Sequence, residues 1–184
     1  MSISGISAGY YQAGYTDNKT TKTATGTSFY NQLNSIAGKG QIVYLKTDDM
    51  LYSGGNGTGL SFYLKYAEGS TEDDPTVIAK GIDENGNEFE QTIHINKINP
   101  KCATLVEMRA LEAHLGVNKR GGFSSLPMGG TGEMGLHDRA DFMEMFENSI
   151  SDFIKLKAHE AAAYYRYSMK VYWDFMFSKS KLPF

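Results

Sequence analysis

The chain has a single cysteine, Cys102, among 184 residues. That excludes an internal disulfide and a cysteine-based zinc site. It fits a reducing compartment, or an exported protein that does without disulfides. There is also no excess of positive charge. Lys and Arg total 18 against 21 Asp and Glu, for a net charge of −3. A nucleic-acid surface needs clustered cations, so no nucleic-acid partner is expected. No apolar run approaches the roughly 20 residues that cross a bilayer, so no membrane span is expected. The opening "MSISGISAGYYQAGY" lacks the basic and apolar regions of a Sec signal. Together these absences predict a cytoplasmic protein, with non-Sec export as the alternative.

The motifs of familiar chemistry are missing as well. The histidines His94, His114, His137 and His159 form no H-E-x-x-H and share no ligand spacing. They read as solvated surface residues. "FSSLP" is not a nucleophile elbow. "DENGNE" lacks the glycine position and the closing glutamate of a calcium loop. "GGNGTG" and "NKRGG" are not phosphate-binding loops. Lys119 and Arg120 beside Gly121 and Gly122 remain a candidate anion contact through backbone amides. Cys102 reads as a buried structural cysteine in the first turn of a helix. No catalytic residue, cofactor or metal is expected.

What is present is the composition of a globular protein, 41% hydrophobic and 21% charged, of about one-domain size. Residues 1–26, rich in Gly, Ser, Thr and Tyr, hold few aliphatic side chains and read as a flexible tail. A single domain is expected over 27–184. It begins with a short helix capped by Thr27 or Ser28, bearing Phe29, Leu33 and Ile36, and ending at Gly38.

Strand patterns follow. "QIVYLKT", Gln41 to Thr47, predicts a strand, and "LSFYLKYA" alternates Leu60, Phe62, Leu64 and Tyr66 on one face. "YSGGNGTG" reads as the connection between them. Asn85-Gly86 is the preferred pair for a two-residue type I′ hairpin turn. That turn sets Ile82 opposite Phe89 and Ile78 opposite Ile93 on an apolar face. It puts Val77, Ala79 and Gly81 on the polar one. Next, Asn99 as N-cap and Pro100 predict a helix with Leu105, Met108, Leu111 and Leu115 inward and Gly116 as its stop. Residues 116–135 form a long glycine-rich loop, a length that points to function or disorder.

From Asp138 to Ser178 there is neither glycine nor proline. This predicts one long helix over 138–178, capped by Asp138. Met143, Phe146, Ile150, Ile154, Ala158, Ala161, Tyr165, Met169, Tyr172 and Met176 recur every ~3.7 residues. The opposite seam runs Asn148, Asp152, Lys155, His159, Ala163, Arg166, Lys170, Asp174. Such a helix spans roughly 60 Å, too long for a domain about 35–40 Å across. It must bend, near Ser149 and Ser151, or reach a partner. Its final part, "AAAYYRYSMKVYWDFMF", holds seven aromatics in seventeen residues: Tyr164, Tyr165, Tyr167, Tyr172, Trp173, Phe175 and Phe177. A helix apolar nearly all round must be covered on most sides. The cover is either the rest of the chain or another chain, since Tyr, Trp and Phe are enriched in interface cores.

The block "KGIDENGNEFEQTIHINKINPKCATLVEMRALEAHL", Lys80 to Leu115, resembles uncharacterised proteins of low-GC Gram-positive bacteria. That resemblance implies no activity, cofactor or site residue. The leader followed by "SFYNQLNSIAG" is similar to the starts of flagellar or secretion-apparatus substrates, which implies a tail acting as an export address. The expected fold is α+β, with about four antiparallel strands between Gln41 and Ile98 packed on two helices. The expected function is non-enzymatic interaction through the aromatic helix, as a homo-oligomer or with a protein partner. The alternatives are a small-ligand binder or enzyme with its site under the 116–135 loop near Lys119, Arg120 and His137, or an exported protein.

Overall fold

Four antiparallel strands lie side by side in chain order: β1 (Tyr52–Gly55), β2 (Ser61–Tyr66), β3 (Thr76–Ile82) and β4 (Glu88–His94). The computed structural model describes residues 42–117, 124–127 and 131–179, all within the unit Ala37–Phe184. The expected tail and the helix at 27–38 lie outside the described residues. The fold is α+β, as the patterns predicted.

Within the sheet the strands differ from expectation in two ways. Ile42 to Thr47 form no strand. Instead the Ser53 and Ser61 hydroxyls donate to the Tyr44 and Ile42 carbonyls, and Tyr44 meets Tyr63 edge-on at 5.2 Å between ring centres. The first strand comes from Tyr52–Gly55, which had read as connection.

The β3–β4 hairpin is also shifted by one residue. Ile82 pairs with Glu88, Gly81 with Phe89 and Val77 with Ile93. The loop therefore has three residues, Glu84-Asn85-Gly86. Gly86 takes φ 85°, a left-handed conformation natural to glycine at this place in a three-residue loop. The Asp83 carboxylate holds the loop by accepting from the Asn85 and Asn87 amides at 2.9 and 2.7 Å. The slip turns Val77, Ala79 and Gly81 toward the core in place of Ile78 and Thr76. A Cβ at Gly81 would come within 2.1 Å of the Ser61 carbonyl oxygen, so only glycine allows this approach to β2.

After a short 3-10 turn at Ile95–Lys97, the chain does not enter a helix at Pro100. Asn99 to Cys102 close a turn, with the Cys102 amide bonded to the Asn99 carbonyl at 2.8 Å. Helix α1 (Leu105–Leu115) starts at Thr104 with a complete capping box. Thr104 Oγ1 accepts from the Glu107 amide at 3.2 Å, and Glu107 accepts from the Thr104 amide at 2.9 Å. The sequence T-L-V-E is its signature, and the Asn-Pro signal four residues earlier competes with it. Gly116 ends the helix as expected. Cys102 is exposed, because it lies in the turn ahead of the helix.

The glycine- and proline-free segment is two helices, α2 (Phe142–Lys155) and α3 (His159–Lys179). Asp141, not Asp138, caps α2 by accepting from the Met143 and Glu144 amides. Just before it, Arg139–Ala140 (β6) pairs with Ala103–Thr104 (β5), which ties the starts of α1 and α2 together. Arg139 secures the tie through both guanidinium arms to Glu107, at 2.9 and 3.1 Å. At the break the Ala158 amide bonds to the Phe153 carbonyl and the Lys157 amide to Ile154. This is a Schellman ending, with Lys157 at φ 57° in the position glycine usually holds. The two helices double back: Phe146 meets Tyr165 and Tyr172 at 5.7 and 5.6 Å, and Phe153 meets Tyr165 at 5.2 Å. The bend therefore falls at Leu156–Ala158 rather than near Ser149, and it removes the need to project 60 Å.

Candidate functional site

Helix α1 is buried on several sides, through Leu105, Val106, Met108, Ala110 and Leu111, with the Glu112 carboxylate buried among them and its partner Arg109 partly so. Arg109 Nη1 donates to Glu112 Oε2 at 2.8 Å and to Ser125 Oγ at 3.3 Å. Its guanidinium carbon lies 5.3 Å from the centre of the Tyr52 ring, on the core side of β1. Glu112 is 2% exposed and Tyr172, from α3, is 0% exposed. Three atoms of this cluster, Arg109 Nε, Glu112 Oε1 and the Tyr172 hydroxyl, are buried without a hydrogen-bond partner among the described residues. A buried polar atom left unpaired costs about 1–3 kcal/mol. The centre thus works against stability, which singles it out from the apolar core around it.

Its electrostatics follow from burial. Burial pushes the Tyr172 phenol well above its usual range, and the Glu112 carboxylate pushes the same way. Burial likewise raises Tyr52 and Tyr165. For Arg109, burial opposes the charge, but Glu112 and the surrounding hydroxyls outweigh it and the net shift is upward. Guanidinium and carboxylate hold each other as a neutral pair.

The sequence reading overlooked Arg109, Glu112, Tyr52 and Ser125. A signal was there: Arg109 is four residues after Leu105, and Glu112 four after Met108, so both fall on the expected core stripe. Ser125 belongs to the 116–135 loop, and so do Leu126 and Pro127, both buried. The described part of that loop meets the Arg109 guanidinium through Ser125 and the Tyr165 hydroxyl through Leu126. Lys119 and Arg120 lie outside the described residues, and His137 is exposed.

The seven aromatics of α3 divide. Tyr164, Tyr165 and Tyr172 are buried within this chain, and the Tyr165 hydroxyl donates to the Leu126 carbonyl at 3.4 Å. Trp173 and Phe175 are half-buried against the core. Tyr167 and Phe177 are exposed, at 48% and 59%. Phe177 stacks on Trp173 with ring centres 5.4 Å apart, and the Lys101 ammonium stands 4.8 Å from the indole centre. The expected wet seam, from Asn148 to Asp174, is exposed at every position.

The other candidate residues are dispersed. His94 pairs with Asp74 at 3.3 Å, and His114 Nδ1 meets the Tyr66 hydroxyl at 2.9 Å, with burial lowering the His114 pKa. An open groove of about 370 Å³ runs beside that pair, lined by Tyr66, Thr71, Glu72 and Pro75. Among the described residues no cluster of His, Cys, Asp and Glu could hold a metal ion, and no helix is long and apolar enough to cross a membrane. Neither a protein-family model, a curated protein nor a solved structure matches the chain.

Proposed function

We propose that this chain is a protein-interaction module that uses the outer surface of α3, with self-association as the form of that contact. The observation that carries the reading is the Trp173–Phe177 stack with Lys101 against it. It sets stacked aromatic surface and a cation side by side, with Phe177 59% exposed. Aromatic residues of this kind are enriched at interface centres and costly to lose there. Tyr167 is a second exposed ring on the same helix, ten residues earlier and across the Lys170–Asp174 pair from the stack. The three buried aromatics, Tyr164, Tyr165 and Tyr172, serve the chain's own core and have no part in the contact.

Sedimentation equilibrium of the full chain over a wide concentration range tests this. A concentration-dependent mass is expected, and Phe177→Ser combined with Tyr167→Ser shifts it toward the monomer without lowering the melting temperature. A strictly monomeric chain at its highest soluble concentration rejects the reading, and so does an association that the double variant leaves untouched.

A further inference from the structure

Strand β4 forms one edge of the sheet, and its ladder with β3 fixes which backbone groups point outward. The Asp83 amide bonds to the Asn87 carbonyl at 2.8 Å at one end, and the Ile95 amide to the Pro75 carbonyl at 2.9 Å at the other. Antiparallel bonded pairs recur at every second residue, so Phe89, Gln91 and Ile93 bond to β3. The N–H and C=O groups of Glu88, Glu90, Thr92 and His94 point away from the sheet, and no described residue bonds to them. Such edges are usually blunted by proline, lysine or a bulge. β4, Glu-Phe-Glu-Gln-Thr-Ile-His, has none of these. The opposite edge, β1, is only four residues long, and its Ser53 is already bonded to Tyr44.

The strand is also complementary to its own reverse. Set antiparallel to a second copy about Gln91, Glu88 of one copy faces His94 of the other, and Glu90 faces Thr92. On the core side Phe89 faces Ile93, two apolar side chains that continue the core layer across the joint. Lys80, 2.9 Å from Glu90, already offsets one of the two carboxylates. Other registers fare worse. A slip of one residue sets outward groups against inward ones, so the bonds cannot form. A slip of two sets Glu90 against Glu90 in one direction, and in the other carries the partner of Glu88 past the end of the strand. We infer that β4 is a docking edge for a second copy of this chain, joining two four-stranded sheets into one of eight antiparallel strands. This contact uses the sheet and does not rest on the α3 reading.

Amide hydrogen exchange of the full chain carrying Phe177→Ser and Tyr167→Ser tests it, since those changes remove the α3 contact. Exchange at Glu88, Glu90, Thr92 and His94 is expected to slow about tenfold from dilute to concentrated samples, while the amides already bonded to β3 change little. Cross-linking checks the register. At a non-hydrogen-bonded pair the two Cα atoms lie about 4.5 Å apart, within the reach of a disulfide. Gln91→Cys in a Cys102→Ser background is therefore expected to form a dimer with oxidised glutathione, and Thr92→Cys is not. Exchange at the four outward amides that ignores concentration overturns the proposal, as does equal cross-linking through positions 91 and 92. Protection of the four amides decides the question even if a cysteine variant fails to fold.

Discussion

The Glu84 carboxylate, at the tip of the β3–β4 hairpin, accepts a hydrogen bond from the Leu136 amide at 2.8 Å. The two residues are far apart in sequence, and the contact fastens the end of the 116–135 loop to the sheet. A Cβ at Gly135 would come within 2.6 Å of the same carboxylate, so the two segments touch closely. The turn after β1 grips the loop from the adjoining tip: Asn56 Nδ2 donates to the Thr131 and Met134 carbonyls at 3.1 and 2.7 Å. "GGNGTG" is thus a clamp on a loop, a role no phosphate motif describes. Glu84→Ala is expected to destabilise by about 1 kcal/mol and to speed hydrogen exchange at the Leu136 amide. Unchanged exchange there would show that the clamp holds without Glu84.

The polar centre makes an asymmetric prediction. Tyr172→Phe removes an unpaired hydroxyl and keeps the ring against Phe146, so stability is expected to hold or to rise by about 1 kcal/mol. Arg109→Met leaves Glu112 buried without its partner and is expected to cost about 3–5 kcal/mol. Adding Glu112→Leu to Arg109→Met recovers most of that loss. Urea denaturation of the three variants checks the order.

Lys157 occupies a left-handed position at φ 57° between α2 and α3. A side chain there costs about 1 kcal/mol relative to glycine. Lys157→Gly is therefore expected to raise the melting temperature, despite glycine's greater freedom in the unfolded chain. A lower melting temperature would mean that the lysine stem contributes packing that outweighs the strain.

Gly81 is expected to tolerate no side chain. The 2.1 Å approach of a Cβ to the Ser61 carbonyl meets backbone, which cannot swing aside. Gly81→Ala should cost at least about 1–3 kcal/mol, while Gly69→Ala, with nothing within 4 Å, is limited to the strain of its φ of 88°. Melting both variants beside the parent separates crowding from backbone strain.

The raised phenol pKa values of Tyr52, Tyr165 and Tyr172 predict a loss of stability in alkali. Each group releases its proton more easily unfolded, at about pH 10, than folded. The stability they contribute is complete below that pH and is lost as pH rises toward the folded values. Denaturation midpoints should be level from pH 8 to about 9.5 and fall above about 10, less steeply in Tyr172→Phe.

Much of the fold could be read locally. The Leu60, Phe62 and Leu64 alternation and the Asn148-to-Asp174 wet seam follow from the side-chain period of one element, and packing only confirms them. The β3 register could not be read that way. Its two faces, Thr76, Ile78, Lys80 and Ile82 on one and Val77, Ala79 and Gly81 on the other, each hold enough apolar residues to be taken for the core side. A one-residue slip therefore left a consistent pattern, and only the close Gly81–Ser61 approach and the three-residue loop decide between them. The bend was expected near Ser149, and its true position at Leu156–Ala158 carried no local signal because a lysine stands where glycine normally marks a Schellman ending.

What the sequence determined by itself is therefore the α+β class, the periodic faces and the exclusion of a disulfide framework, since each depends on composition or on a repeat within one element. The tertiary structure decided which face of β3 is inside, that 138–178 folds back on itself, and that Arg109, Glu112, Tyr52, Ser125 and Tyr172 meet. Those outcomes depend on contacts between residues as far apart as β1 and α3, where burial and hydrogen-bond geometry, not local periodicity, set the free energy.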